Sequence, residues 1–336
     1  MNIQNAIDAA QLRLNSRRAM KVRKHTSNVG MGLVKAVFLL GFSFIILYPI
    51  ISMISKAFMQ QGDIFDNTVI WIPKHYTLDN LKMAAETMNY GKAFANSVFV
   101  SGMCTAIQTI MCMTVGYGFA RYEFPLKNIL FVIVLLTFLI PPQAMMIPLF
   151  LEFRSFDVLG IITLISGKPT SLLNTNWPYI LLALTCQGLR NGLFIFMFRQ
   201  SFRAMPREIE EAAWVDGAGA FLTYVRIMLP NATMMIATVA LFGFVWQWND
   251  SFYAGLFSPN ADILSSAYSN FTTSLGLLST ESEGLVQSLA FDLGNQRVIS
   301  LLKNSAVFLI MTPLITVYLV AQRWFVESVE RSGLVG

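Results

Sequence analysis

Long apolar runs without a single charge alternate with shorter polar stretches along this chain. A helix needs about 20 apolar residues to cross a bilayer core of roughly 30 Å. Five stretches free of Asp, Glu, Lys and Arg qualify: Ala36–Ile54, Ala93–Ala120, Asn128–Leu151, Asn231–Asn249 and Asn304–Gln322. A sixth, Trp177–Phe198, is long enough but contains Arg190. The pattern predicts an all-α polytopic membrane protein with six transmembrane helices. Pro141, Pro142 and Pro148 fall inside the third run. Proline lacks an N–H and clashes with the preceding turn, so this helix should kink or break near its middle.

The polar stretches divide into two sets. Segments 56–92, 152–176 and 254–303 fall on one side of the membrane, and 121–127 and 199–230 on the other. With the N-terminus inside, fifteen Lys and Arg residues lie on the inner side and eight on the outer. Such a bias orients membrane proteins, so both termini are expected in the cytoplasm. The resulting plan is a basic tail (1–35), a six-helix domain (36–326) and a short C-terminal tail (327–336).

Composition agrees. Of 336 residues, 55% are hydrophobic and only 13% charged, about half the charged share of soluble domains. With 27 Phe and 18 Met, the solvent implied is lipid. The net charge of +5 does not mark a nucleic-acid binder, because six Lys and Arg crowd the first 24 residues ahead of an apolar run. That arrangement suits an anionic membrane face. The run exceeds the apolar core of a secretory signal, which argues against a cleaved leader. Cys104, Cys112 and Cys186 lie in apolar runs, and together with His25 and His75 they show no metal spacing.

The inner segment 199–230 has the strongest local pattern. Pro206 suits a first helical turn, and Glu208, Glu210 and Glu211 follow where the helix dipole favours anions. Ile209, Ala212, Ala213 and Asp216 recur at helical spacing as one narrow face. Gly217 and Gly219 permit a sharp turn, and a second amphipathic stretch through Phe221, Tyr224, Val225 and Met228 ends at Pro230. A short helix, a turn and a second helix should lie at the inner membrane face.

Glu211-Ala212-Ala213, then Gly217, then Ile227-Met228-Leu229-Pro230 resembles the EAA motif of bacterial ABC importer permeases at every position. Asp216-Gly217-Ala218, Trp248-Asn249-Asp250, Ile140-Pro141-Pro142 and Ile147-Pro148 are similar to its sugar branch, the second permease of maltose-type importers. The resemblance runs from about residue 78 to the C-terminus. It implies a coupling helix seated on a separate ATPase, with Glu211, Ala212, Ala213, Asp216, Gly217, Ile227, Leu229 and Pro230 as the coupling residues. It further implies a second, non-identical permease, two ATPase subunits that carry the ATP and Mg, an extracellular sugar-binding protein, and a place in the bacterial inner membrane. The chain departs from that pattern in longer outer segments at Glu152–Asn176 and Ala254–Lys303. Its tail, Ser332–Gly336, lacks the usual basic residue.

The chain's own residues offer no phosphate-binding loop: Gly167-Lys168 has Ile162 where the first glycine belongs and Pro169 where Ser or Thr belongs. No cofactor is expected on it. A central arginine costs at least about 2.5–3.5 kcal/mol in hydrocarbon, so Arg190 should face the bundle interior or a partner. Helical rise puts Asp250 about 16 Å from it, too far for a direct pair. A backbone carbonyl, water, the sister subunit or an acidic substrate remain as partners, in a structural or a pathway role. On a continuous helix Gln187 and Asn191 would share its face. Trp246, Trp248 and Asn249 suit either sugar stacking or interfacial anchoring. A permease for a non-sugar solute, a channel and an intramembrane enzyme are the alternatives; the last two would want intramembrane acids or histidines that these runs lack.

Overall fold

The computed structural model describes residues 31–259, 263–278 and 295–333. Residues 1–30 of the basic tail, the tip of segment 254–303 and the final three residues lie outside them. In chain order the helices are α1 (Met31–Ala57), α2 (Asp79–Thr87), α3 (Tyr90–Arg121), α4 (Lys127–Leu139), α5 (Met146–Arg154), α6 (Ile161–Ser166), α7 (Trp177–Leu184), α8 (Asn191–Ala204), α9 (Glu208–Val215), α10 (Ala220–Asn231), α11 (Thr233–Trp248), α12 (Phe252–Phe257), α13 (Leu264–Leu278) and α14 (Gln296–Gly333). No strand occurs among the described residues; Met59 with Tyr76 and Phe156 with Thr170 form isolated bridges.

Three helices, α1, α3 and α14, are each long and apolar enough to cross a membrane, and five crossings result if two bent pairs are counted. The sixth expected run, 177–198, is not one helix. It splits into α7 and α8, with Cys186 (φ +56°) and Arg190 (φ +60°) left-handed in the link. The third run breaks where its prolines predicted: α4 ends at Leu139, and the chain turns by 97° into the segment from Pro142 to Arg154. The C-terminal crossing extends beyond its expected limits, and helix continues through most of the stretch read as a tail.

Helix α3 is the centre of the molecule. It packs against α8, α11 and α7 along its length, and against α13 near its start. Contact with α8 depends on Gly116, where an added Cβ would fall 2.6 Å from Phe198 Cβ. Around this axis lie three apolar clusters. Phe194, Phe198, Phe202 and Met228 fill the one near the coupling segment. Val100, Phe153, Tyr179 and Phe257 fill the second, and Met83, Trp248, Phe271 and Leu302 the third. By contrast α1 leaves nearly all its apolar surface outside the fold, Phe38, Leu40 and Ile46 included.

Helix α14 contains Pro313 and yet stays helical. A proline N–H is missing there, so the carbonyl four residues earlier loses its partner. The Tyr90 hydroxyl donates to that carbonyl, Leu309 O, at 2.9 Å, and Trp248 Nε1 donates to Ile310 O at 3.2 Å. Side chains of neighbouring helices thus replace the lost backbone bond, as membrane helices require.

Tyr90→Phe should therefore lower stability by about 1–3 kcal/mol, the penalty for a buried carbonyl left alone. Reversible unfolding of the detergent-solubilised protein measures this. A loss near zero would mean that α14 tolerates Pro313 without help from α3.

Candidate functional site

The coupling segment forms as its sequence pattern predicts, but not with the faces expected. Helix α9 carries Glu208, Glu210 and Glu211 in its first turn. Ala213 is buried and Ala212 exposed, so the two alanines point opposite ways. The helix closes at Gly217 (φ +83°), with Ala218 N–H donating to Ala213 O at 2.9 Å. Any side chain is strained in that conformation. Gly219 has φ −72°, so only Gly217 needs to be glycine for the turn. In the following stretch, Tyr224 to Met228 form a π-helical turn just before Pro230. The wider turn accommodates a residue that cannot donate to its i−4 carbonyl. A bend of 76° at Ala232 then feeds α10 into α11.

The amphipathic stretch splits in the same way. Met228 is fully buried and Tyr224 lies against Tyr117, whereas Phe221 and Val225 are exposed. Glu211, Ala212, Asp216, Gly217 and Pro230 are exposed as well, and Ile227 and Leu229 half-buried. The tip therefore shows water Trp214 (55% exposed), Val215 (87%) and Phe221 (79%). Exposed apolar surface of this kind marks a docking face.

What fixes the tip to the bundle is a pair the sequence did not reveal. Glu210 Oε2 lies 3.0 Å from Arg121 Nε, both side chains almost wholly buried. The Tyr117 hydroxyl donates to Glu210 Oε1 at 2.8 Å, and Arg121 donates to Met205 O at 2.9 Å. Arg121 ends α3, so α9 is bolted to the central helix. The two residues are far apart in the chain and no local spacing couples them. Only a basic residue closing one run, and three glutamates opening another, hinted at it.

The residues proposed for a pathway do not form one group. Arg190 is exposed and precedes α8; its guanidinium lies 5.4 Å from the Phe138 ring centroid and 5.6 Å from that of Trp246. Two aromatic faces are its neighbours, a pairing not foreseen among its partners. Trp246 itself stacks on Phe194 and Phe242. Gln187 is exposed, but the helix break removes the shared face with Asn191. Asn191 turns inward at 2% exposure, with neither amide atom partnered. Trp248 is buried and bonded to α14, which removes it from any sugar-stacking surface. Asn249 is exposed, and its amide donates to Val245 O at 2.8 Å. Asp250 makes no ion pair with Arg190; its Oδ1 accepts the N–H groups of Phe252 and Tyr253 at 3.2 Å.

Two broken spans meet at Arg190. The end of α4 touches the start of α8 so closely that a Cβ on Gly192 would sit 2.7 Å from Val134 O. Ile140 and Pro141 in the first break are exposed. Irregular backbone at membrane depth survives only against protein or a water-filled cavity. A helical membrane protein with an apolar tip at one end and two broken spans side by side has the outline of a transport component.

Comparison with known proteins makes the class specific. Residues 112–331 match the family model of the binding-protein-dependent transport system inner membrane component, and the chain belongs to that family. It is 26% identical over 297 residues to the arabinooligosaccharides transport system permease protein of Halalkalibacterium halodurans, covering 88% of this chain and 93% of that one. It is 28% identical over 207 residues to the diacetylchitobiose uptake system permease protein of Streptomyces coelicolor, covering 62% of this chain and 63%, just under two thirds, of that one. In fold it resembles a chain from the crystal structure of a bacterial ABC transporter involved in the import of the acidic polysaccharide alginate. The TM-score is 0.68 at 21% identity, over 89% of this chain and 98% of that one.

Breaking a buried ion pair by removing one partner costs about 3–5 kcal/mol. Glu210→Gln should therefore destabilise the purified chain on that scale, while Glu211→Gln, on the exposed side of α9, should leave its melting point within about a degree, as surface changes do. Equal melting points for the two variants would show that the Arg121 pair does not anchor the segment.

Proposed function

We propose that this chain lines half of the translocation pathway of an ATP-driven carbohydrate importer. The observation that carries the reading is the coupling tip: Trp214, Val215 and Phe221 bared to water on a helix that a buried ion pair fixes to α3. Such a tip is built to be pushed. Two ATPase subunits, which hold the ATP and Mg, would seat it and its counterpart on a second, non-identical permease. An extracellular binding protein would deliver the solute to the opposite face. In this arrangement α7 and α8 together make the sixth crossing, and the termini and coupling loop face the cytoplasm, in line with the distribution of Lys and Arg.

An oligosaccharide is the favoured cargo because the relatives from H. halodurans and S. coelicolor are named for oligosaccharides. The Trp248-Asn249-Asp250 and Ile140-Pro141-Pro142 segments add the sugar-branch resemblance. A second reading has one specific support: the chain is 29% identical over 218 residues to an osmoprotective compounds uptake permease protein of Synechocystis. A smaller solute is the outcome that would favour it.

Val215→Asp places a charge on the apolar tip, and Glu211→Lys reverses the charge beside it. In cells expressing all components, both variants should insert normally, lose the ATPase on affinity purification, and take up sugar at less than about a tenth of the wild-type rate. Normal uptake and normal recovery of the ATPase in both would refute the assignment of the loop. ATP hydrolysis stimulated by a small osmolyte, and by no saccharide, would transfer the assignment to the second reading.

A further inference from the structure

We propose that Arg190 recognises a negatively charged saccharide, one bearing a carboxylate, as it passes through the membrane. The inference rests on the reading above that a saccharide pathway runs along this chain. It adds the chemical class of the cargo.

Helix α8 spans 14 residues from Asn191 to Ala204. At 1.5 Å per residue, Arg190 sits about 20 Å from the coupling-loop end of that helix, deep in a bilayer core of about 30 Å. A guanidinium at that depth is stable only where water or a counter-charge reaches it. No hydrogen bond or ion pair joins it to any described residue, and its side chain is exposed. Asp250, the acid that ends the fifth run, accepts the amides of Phe252 and Tyr253 on Oδ1 instead.

Cys186 and Arg190 are left-handed and interrupt the fourth span, while Ile140 and Pro141, both exposed, interrupt the third beside them. Local bonds close that break, Ile140 N–H to Leu136 O at 3.2 Å and Ala144 N–H to Pro141 O at 3.0 Å. The guanidinium is the group that lipid cannot satisfy, so its side of the chain borders water or another protein. The rings of Phe138 and Trp246, 5.4 and 5.6 Å from the guanidinium carbon, hold it by cation–π attraction, and neither takes up a donor. An arginine held against rings in this way keeps its planar fork of N–H groups free for another partner. That geometry matches the two oxygens of a carboxylate, and a neutral hydroxyl engages only part of it. Exposed Gln187 supplies a neutral amide nearby for sugar hydroxyls.

The test uses the complete importer with its binding protein, reconstituted in liposomes. Uptake is compared for a uronate-containing oligosaccharide and a neutral one of equal length. Wild type should favour the acidic sugar. Arg190→Met should lower uptake of the acidic sugar about tenfold or more, the scale of a lost charge-assisted bond, and change the neutral one less than about twofold. Arg190→Lys should restore part of the acidic uptake, because charge returns without the fork. Equal loss for both sugars, or no loss for either, overturns the proposal. So does disassembly of the purified Arg190→Met complex, which would identify the partner permease as the source of the counter-charge. If the binding protein and wild-type importer take only the neutral sugar, this inference fails and the saccharide reading stands. If neither sugar is carried while another solute is, the saccharide reading itself fails.

Discussion

Hydrocarbon offers no hydrogen bonds, so each interruption of a crossing helix must be met by protein or by water. Two prolines show the alternatives. At Pro313 the carbonyl freed on α14, Leu309 O, receives the Tyr90 hydroxyl, the Trp248 indole N–H adds a bond to the next one, and the helix runs on. At Pro141 the helix ends instead: the chain turns by 97°, and Ala144 N–H donates to Pro141 O at 3.0 Å to close a new turn. The same residue type gives continuity in one place and a break in the other. What differs is the neighbour. The exposed break at Pro141 and the second one beside it at Arg190 mark where two crossings lose their helical continuity side by side.

The coupling tip lies at the far end of α8 from those breaks, and the packing joins the two. Glu210 is fixed to Arg121 at the end of α3, and α3 lies against α8 at Gly116 with no room for a methyl group. Interiors packed this closely transmit displacement instead of absorbing it. Helix α9 is therefore tied to α3, and α3 to α8, at whose start Arg190 and Phe138 meet. The π-turn at 224–228 and the bend at Ala232 lie on the other exit from the tip, toward α11. There the backbone is irregular, so the two exits from the tip differ in construction.

Much of this was legible in the sequence. Charge-free runs located the crossings, because hydrophobic length is a direct consequence of bilayer thickness. The proline pair located the third-span break, and Pro206 and Gly217 bounded the coupling helix, since each acts through its own backbone. The continuity of 177–198 was misread: the run is apolar enough to cross, and nothing in its composition announces two left-handed residues at Cys186 and Arg190. Trp248 and Asn249 were candidates for sugar contact on residue type alone. Their real partners, Ile310 O for Trp248 and Val245 O for Asn249, were fixed by helix packing and rotamer. The Arg121–Glu210 pair was invisible for the same reason. Local chemistry is written locally; contacts across the bundle are not.

The exposed residues of this chain invert the usual order. Its tip bares Trp214, Val215 and Phe221 on a loop outside the apolar runs, and its unpaired cation, Arg190, stands at membrane depth. Either feature alone weakens a free monomer, the first by inviting association and the second by the expense of a charge in hydrocarbon. Neither was removed by folding, although each has a cheap remedy: a polar residue at 215, or an apolar one at 190. A surface kept at a disadvantage in the isolated chain is advantageous only in company. The tip needs a cleft that buries an aromatic knob, and the arginine needs water or an anion. The first requirement describes a protein partner at the membrane face. The second leaves the exposed side of Arg190 as a side that this chain does not itself close.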